Sequence, residues 1–289
     1  MTARGRVAGT REAERRDHAG RPLNRGEYLG RDCVKAFIEW LRPRVAGTEP
    51  FKHSYRMLKP VCHWHCGSLR EAQERYCWGG EDFAATQEKL DGLRREIRAA
   101  KETGDNCRFV AAAFEVLKWG GVTLRNSTRL CELGQDALPR FRTAAGRLEP
   151  SRADTSQLGG VQYMNSGWTK VYSLMLGDFP IYDGRVGAAM GYLVRRYCED
   201  EGLPKVPKLL RFRWLAGKSN HNRNPSSESL KFPKLRHAAP RRWAECNVRA
   251  AWILGSVCGE GQFGNLPEAY RLRALEAAPF MLGYEIPPT

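Results

Sequence analysis

A chain of 289 residues with 42% hydrophobic content and eight tryptophans can bury a sizeable core, which excludes a mainly disordered protein. Its apolar runs, such as Ala111-Ala112-Ala113-Phe114, fall far below the roughly 18 residues of a membrane span. The net charge of +15 points to a polyanionic partner, and nine scattered cysteines fit reduced thiols in a cytoplasm better than a disulfide scaffold.

Residues 1–30 are polar, rich in Gly and Arg and without periodicity, and read as a flexible basic arm lacking the apolar stretch of a secretory signal. Asp32 then opens an amphipathic helix, with Val34, Phe37, Ile38 and Leu41 on one face and Pro43 as its stop. Residues 51–80 form an irregular stretch dense in Cys, His and Trp. Helical spacing returns with Leu90, Leu93, Ile97 and Ala100, and again with Val110, Ala113, Phe114 and Leu117, a helix closed by Gly120-Gly121. Residues 135–148 read as helix with Pro139 in the first turn. A short helix follows over 169–176, then a longer one over 184–198, and residues 243–257 form a last strong helix. No convincing alternating strand and no internal repeat is found.

The basic charge is uneven. Between Lys205 and Arg242 lie eleven cations, among them Arg211, Arg213 and Arg223, opposed only by Glu228, so this segment carries ten of the fifteen net charges. That is the electrostatic footprint of a nucleic-acid site. Within it, residues 220–227 (Asn-His-Asn-Arg-Asn-Pro-Ser-Ser) form a loop able to reach phosphates or base edges, or simply a surface loop.

One passage carries chemistry. Asn165-Ser166-Gly167-Trp168-Thr169-Lys170 is a small-residue turn that delivers a lysine onto the first turn of a helix. Thirteen residues later Asp183 opens the next helix, in Pro180-Ile181-Tyr182-Asp183-Gly184-Arg185-Val186. An amine attacks carbon only when deprotonated, and a free lysine with a pKa of ~10.4 is almost wholly protonated at neutral pH. A helix start together with burial among Trp168, Val171 and Tyr172 would favour the neutral amine. Asp183 reads first as an N-cap, and a cap with one free oxygen can also face a substrate.

Ser166-Gly167-Trp168-Thr169-Lys170-Val171 followed by Phe179-Pro180-Ile181-Tyr182-Asp183-Gly184-Arg185-Val186 resembles the helix-hairpin-helix DNA glycosylases, most nearly the prokaryotic proteins similar to 8-oxoguanine glycosylase. The resemblance spans about 25 residues. The chain departs from the family pattern in having Trp168 at the last small position of the hairpin, and in a shorter lysine-to-aspartate interval. It implies that Lys170 is the Schiff-base lysine and Asp183 the catalytic aspartate. Ser166, Gly167, Trp168 and Thr169 would lie on a hairpin that holds a DNA phosphate through backbone N–H groups, with a monovalent cation on its carbonyls. Arg211, Arg213 and Arg223 would add phosphate contacts.

The expected fold is mainly α: two packed helical subdomains with a helix-hairpin-helix element and an active-site cleft between them. The expected segments are an arm (1–30), a helical subdomain (31–150), the hairpin and catalytic helices (151–200), a basic loop segment (201–242) and a C-terminal helix packing back on the core (243–289). The expected function is that of a DNA glycosylase with AP-lyase activity acting on a damaged or modified base, a monomer binding double-stranded DNA in the cytoplasm and nucleoid and requiring no cofactor. Trp119, Tyr172 and Trp214 are candidates to stack on an extruded base, with core packing as their ordinary role. The alternative is a DNA-binding protein on the same scaffold without chemistry. A third reading, a zinc module on Cys62, His63, His65, Cys66 and Cys77, is weakened because C-x3-C is not the common knuckle spacing.

Overall fold

Apolar residues recurring at three and four positions build most of this chain into helices, as the computed structural model of residues 23–58, 60–217, 221–236 and 238–288 shows. In chain order the elements are α1 (Arg25–Leu29), α2 (Asp32–Ala46), β1 (His53–Leu58), β2 (Val61–Cys66), α3 (Leu69–Glu74), α4 (Phe83–Thr103) and α5 (Asn106–Trp119). There follow α6 (Asn126–Leu133), α7 (Ala137–Leu148), α8 (Trp168–Met175), α9 (Gly184–Asp200), α10 (Pro240–Val257), α11 (Gly261–Gly264) and α12 (Glu268–Leu282). A mainly α fold is thus the observed class. One hydrophobic core runs without interruption from Leu23 to Ile286. None of the described helices is long and apolar enough to cross a membrane.

Helix α9 is the central element, buried along almost its whole length. Its small residues allow neighbouring backbone to touch it. A Cβ at Gly187 would sit 2.7 Å from the Arg213 carbonyl oxygen, and one at Gly191 would sit 2.6 Å from Pro225 Cγ. The basic segment therefore lies directly on α9. Helix α12 packs along α9 and α3, while α8 packs between α4 and α5.

Several sequence expectations need correction. The expected arm does not extend to residue 30: Asn24 and Glu27 form a reciprocal capping box that starts α1. Residues 1–22 lie outside the described part. Pro43 does not stop α2, which continues to Ala46 and ends at Gly47 in the left-handed region (φ 81°). The C-terminal region holds two long helices, not one. Helix α12 leaves no periodic signal in the sequence because its second half is buried on all sides and has no polar stripe.

The stretch read as irregular contains a β-hairpin, with β1 and β2 antiparallel in register from His53↔Cys66 to Leu58↔Val61. On β1, buried His53, Tyr55 and Met57 alternate with exposed residues. The hairpin clasps the end of α12. Tyr55 stacks between Trp64 (4.7 Å) and Tyr284 (4.9 Å), and its hydroxyl donates to the Met281 carbonyl at 2.9 Å. The period of a strand also separates the residues of the zinc reading, placing Cys62 and Cys66 on one face of β2 and His63 and His65 on the other. Among the described residues no His, Cys, Asp and Glu cluster is arranged to hold a metal, and all nine cysteines are free thiols.

His53 is the pH-sensitive part of this clasp. Its Nε2–H lies 2.9 Å from the Glu285 carbonyl oxygen and 3.1 Å from that of Leu282. Burial lowers its pKa from 6.5 to about 4, with the two carbonyls and nearby Arg195 and Arg196 as smaller influences. The imidazole is therefore neutral in the folded chain and takes up a proton on unfolding below pH 6.5. Because the unfolded state binds more protons there, stability should fall as pH drops from about 6.5 towards 4, by up to about 3 kcal/mol. Thermal melts of wild type and His53→Gln across this window check it, the variant being expected to show the shallower slope.

Candidate active site

The start of α8 is tied down by side-chain amides. Asn165 Oδ1 accepts from the Gly167 and Trp168 backbone N–H groups at 2.8 and 3.1 Å. Asn165 Nδ2 donates to Asn126 Oδ1 at 2.9 Å, and Asn126 Nδ2 donates to the Val122 carbonyl at 2.8 Å. Glycine is needed at 167 because a Cβ there would come within 2.4 Å of Asn126 Nδ2. Trp168 is buried and meets Phe141 edge-on at 5.1 Å. Thr169 is also buried, and its hydroxyl donates to the Ser166 carbonyl at 3.3 Å.

This corrects the sequence expectation for the turn. The Gly167 and Trp168 amides assigned to a DNA phosphate are occupied by Asn165, and the Ser166 carbonyl assigned to a monovalent cation accepts the amine of Lys170. The turn is entered from a short 3₁₀ segment, Gln157–Gly160, and the non-helical residues 161–166, so no α-helix directly precedes it.

Lys170 is only 4% exposed. Its Nζ donates to the Ser166 carbonyl at 3.0 Å and stands 3.4 Å from Asp183 Oδ2. Its stem crosses Gly120, where a Cβ would lie 2.5 Å from Lys170 Cδ and 2.8 Å from Cε. The glycine that closes α5 is thus also the floor beneath the lysine.

Asp183 is fixed by its neighbours as firmly as Lys170 is by its turn. In the segment leading to α9, Asn247 Nδ2 donates to the Pro180 carbonyl at 2.8 Å, which assigns that polar residue within an apolar stripe to a backbone partner. The Ile181 N–H donates to Glu276 Oε2 at 3.0 Å, and Glu276 pairs with Arg273 at 2.8 Å. The Tyr182 hydroxyl donates to the Arg213 carbonyl at 2.8 Å. Asp183 Oδ1 then caps α9, accepting from the Arg185 and Val186 N–H groups at 2.9 and 3.1 Å, which leaves Oδ2 towards Lys170. Cap and charge partner are therefore divided between the two oxygens of one carboxylate. Burial pushes the Asp183 carboxyl upward, but the Lys170 ammonium, the Val186 amide and the Arg185 and Arg223 guanidiniums together outweigh burial and hold it below the usual carboxylate range.

Two further cations adjoin Asp183. Arg185 lies over Phe280 (4.4 Å), Tyr284 (4.8 Å) and Trp78 (5.3 Å), and sequence reading missed it although it stands two residues after the aspartate. Arg223, expected on the outer basic surface, is instead turned in against the first turn of α9, with Nη1 3.2 Å from the Cβ position of Gly184. Burial draws both guanidiniums below their ordinary range, opposed by Asp183. Of the other basic candidates, Arg211 is exposed and donates from Nε to the Val206 carbonyl, while Arg213 donates from Nη1 to the Lys234 carbonyl.

The loop read as able to contact phosphates or bases bonds mostly to itself and to the C-terminal segment. The Asn222 side chain accepts from the Asn224 N–H and donates to the Ile286 carbonyl, and Asn224 accepts from the Ser226 N–H. Residues 218–220 lie outside the described part. Tyr172 and Trp214 are core residues, the first stacked on Phe141 and the second donating to the Phe232 carbonyl. Trp119 is half-buried beside Gly120, and its carbonyl accepts from Trp78 Nε1.

Comparison of the chain with family models, curated proteins and solved structures gives no match.

Proposed function

We propose that this chain is a DNA N-glycosylase with an associated AP-lyase step, acting on a damaged or modified base, with Lys170 as nucleophile and Asp183 as the charge that assists it. The observation that carries the reading is the 3.4 Å approach of an amine and a carboxylate, each delivered by the first residues of a helix and each held by its own network. The charge of +15 and the basic segment seated on α9 suit a phosphate-bearing duplex. On this reading the target nucleotide is extruded from the stack and presented to Lys170. Nζ gives one proton to water and bonds through its freed lone pair to the sugar C1′, and the base departs with the electron pair of the glycosidic bond. Ring opening gives a protonated imine. Transfer of a C2′ proton to water or to the released base then expels the 3′ phosphate and nicks the strand.

Asp183 is held ionised by its surroundings, so its part is to stabilise the positive charge that develops on the sugar rather than to collect a proton. The chain's own groups suffice for this chemistry, and the reading calls for no cofactor. Borohydride reduction during incubation with lesion-bearing duplexes should trap a covalent protein–DNA adduct, and Lys170→Ala should remove it. Duplex binding that persists with neither adduct nor released base across a broad lesion panel would establish the second reading, a binding protein without chemistry. That alternative is favoured by one observation, the deep burial of Lys170.

A further inference from the structure

The first turn of α9 gathers more positive charge than it neutralises. Lys170, Arg185 and Arg223 surround Asp183, and the neighbouring carboxylate, Glu276, is already paired with Arg273. Asp183 Oδ1 serves two backbone amides and Oδ2 serves Lys170, and neither oxygen bonds a guanidinium. Beside Arg185 also lie the side chains of Tyr55, Tyr76 and Tyr284. The Arg185 and Arg223 guanidiniums are therefore left without a carboxylate of their own in a largely buried cluster.

The unpaired donors tell the same story. Neither the Arg185 nor the Arg223 side chain makes a hydrogen bond among the described residues, and Arg185 Nη1 and Arg223 Nε are buried without a partner. A buried guanidinium lacking acceptors is costly, and structures keep such groups where something else satisfies them. The placement is specific. Three aromatic rings surround Arg185, and the absence of side chains at Gly184 and Gly217 leaves room for Arg223, whose Nε would be 3.4 Å from a Cβ at 217.

We infer that Arg185 and Arg223 form a binding site for a phosphate oxyanion beside the Lys170–Asp183 pair. Guanidinium forks match phosphate oxygens, and the one to two negative charges of a phosphate group offset the two guanidiniums. The choice of phosphate over carboxylate rests on the proposed action on DNA. There the site would grip the backbone next to the reacting sugar and help hold C1′ in line with the amine.

Isothermal titration of the full-length protein with inorganic phosphate, at constant ionic strength, tests this. Saturable binding at one site is expected, weakened about tenfold in Arg223→Gln by the loss of a charge-assisted hydrogen bond. Arg223→Lys, which keeps the charge but not the fork, should fall between the two. Absence of saturable binding in the wild type, or equal binding by Arg223→Gln, overturns the site. Competition separates the sources. A 5′-hydroxyl oligodeoxynucleotide that displaces phosphate assigns the site to an internal phosphodiester, and displacement by the 5′-phosphorylated strand alone assigns it to a strand end. Failure of both overturns the assignment to nucleic acid. Phosphate binding with neither a trapped adduct nor released base would leave this site standing and remove the glycosylase reading, while an adduct without phosphate binding would do the reverse.

Discussion

Asp183→Asn should lower the rate of base release by about 10²–10³-fold while α9 remains capped. Asparagine is as good an N-cap as aspartate, so its amide oxygen can still accept from the Arg185 and Val186 N–H groups. What it removes is the negative charge opposite Lys170. Asp183→Ala removes both, and should add about 1 kcal/mol of instability for the lost cap. Each variant also leaves the Lys170 ammonium buried without its counter-charge, which breaking a buried pair makes worth about 3–5 kcal/mol. Single-turnover base release and thermal melts on both variants separate these contributions. Equal activity of Asp183→Asn and wild type would show that the carboxylate serves only as a cap.

Gly120→Ala should reduce adduct formation by about a hundredfold, the size of loss expected when a reacting group is displaced by an ångström. The backbone there (φ −74°) accepts alanine without strain, so the fold should survive. The new methyl would fall 2.5 Å from Lys170 Cδ, and the flexible lysine is the group that must move. Gly121→Ala is the matched control. Its φ of +62° makes alanine costly by about 1 kcal/mol, but its Cβ would meet nothing. One substitution should therefore harm chemistry and spare stability, and its neighbour the opposite. Comparable adduct yields from the two variants would mean that the floor under Lys170 does not position it.

What could be read from the residues was local. The turn before Lys170, the helix after Asp183 and the role of Asp183 as a cap with one free oxygen follow from short-range spacing, and the structure turns that oxygen towards Lys170. Gly120 was legible only as a helix end, because its contact with Lys170 crosses fifty residues of chain. Arg223 drew attention as part of a basic run, and nothing in the run shows that this one cation turns inward to α9. The hairpin was hidden because Cys62, His63, His65 and Cys66 suggested ligands where the operative signal was the alternation of His53, Tyr55 and Met57. In the same way, the amides of Gly167 and Trp168 carry no mark of occupancy in the sequence, since residue order does not show that the Asn165 side chain folds forward to cap them.

The decisive measurement is the identity of the residue joined to DNA. After borohydride reduction of the protein on an abasic or lesion-bearing duplex, proteolysis and mass spectrometry should place the deoxyribose remnant on the peptide that contains Lys170, at that lysine and no other. A remnant on a different lysine, or on the N-terminal amine, would contradict the account.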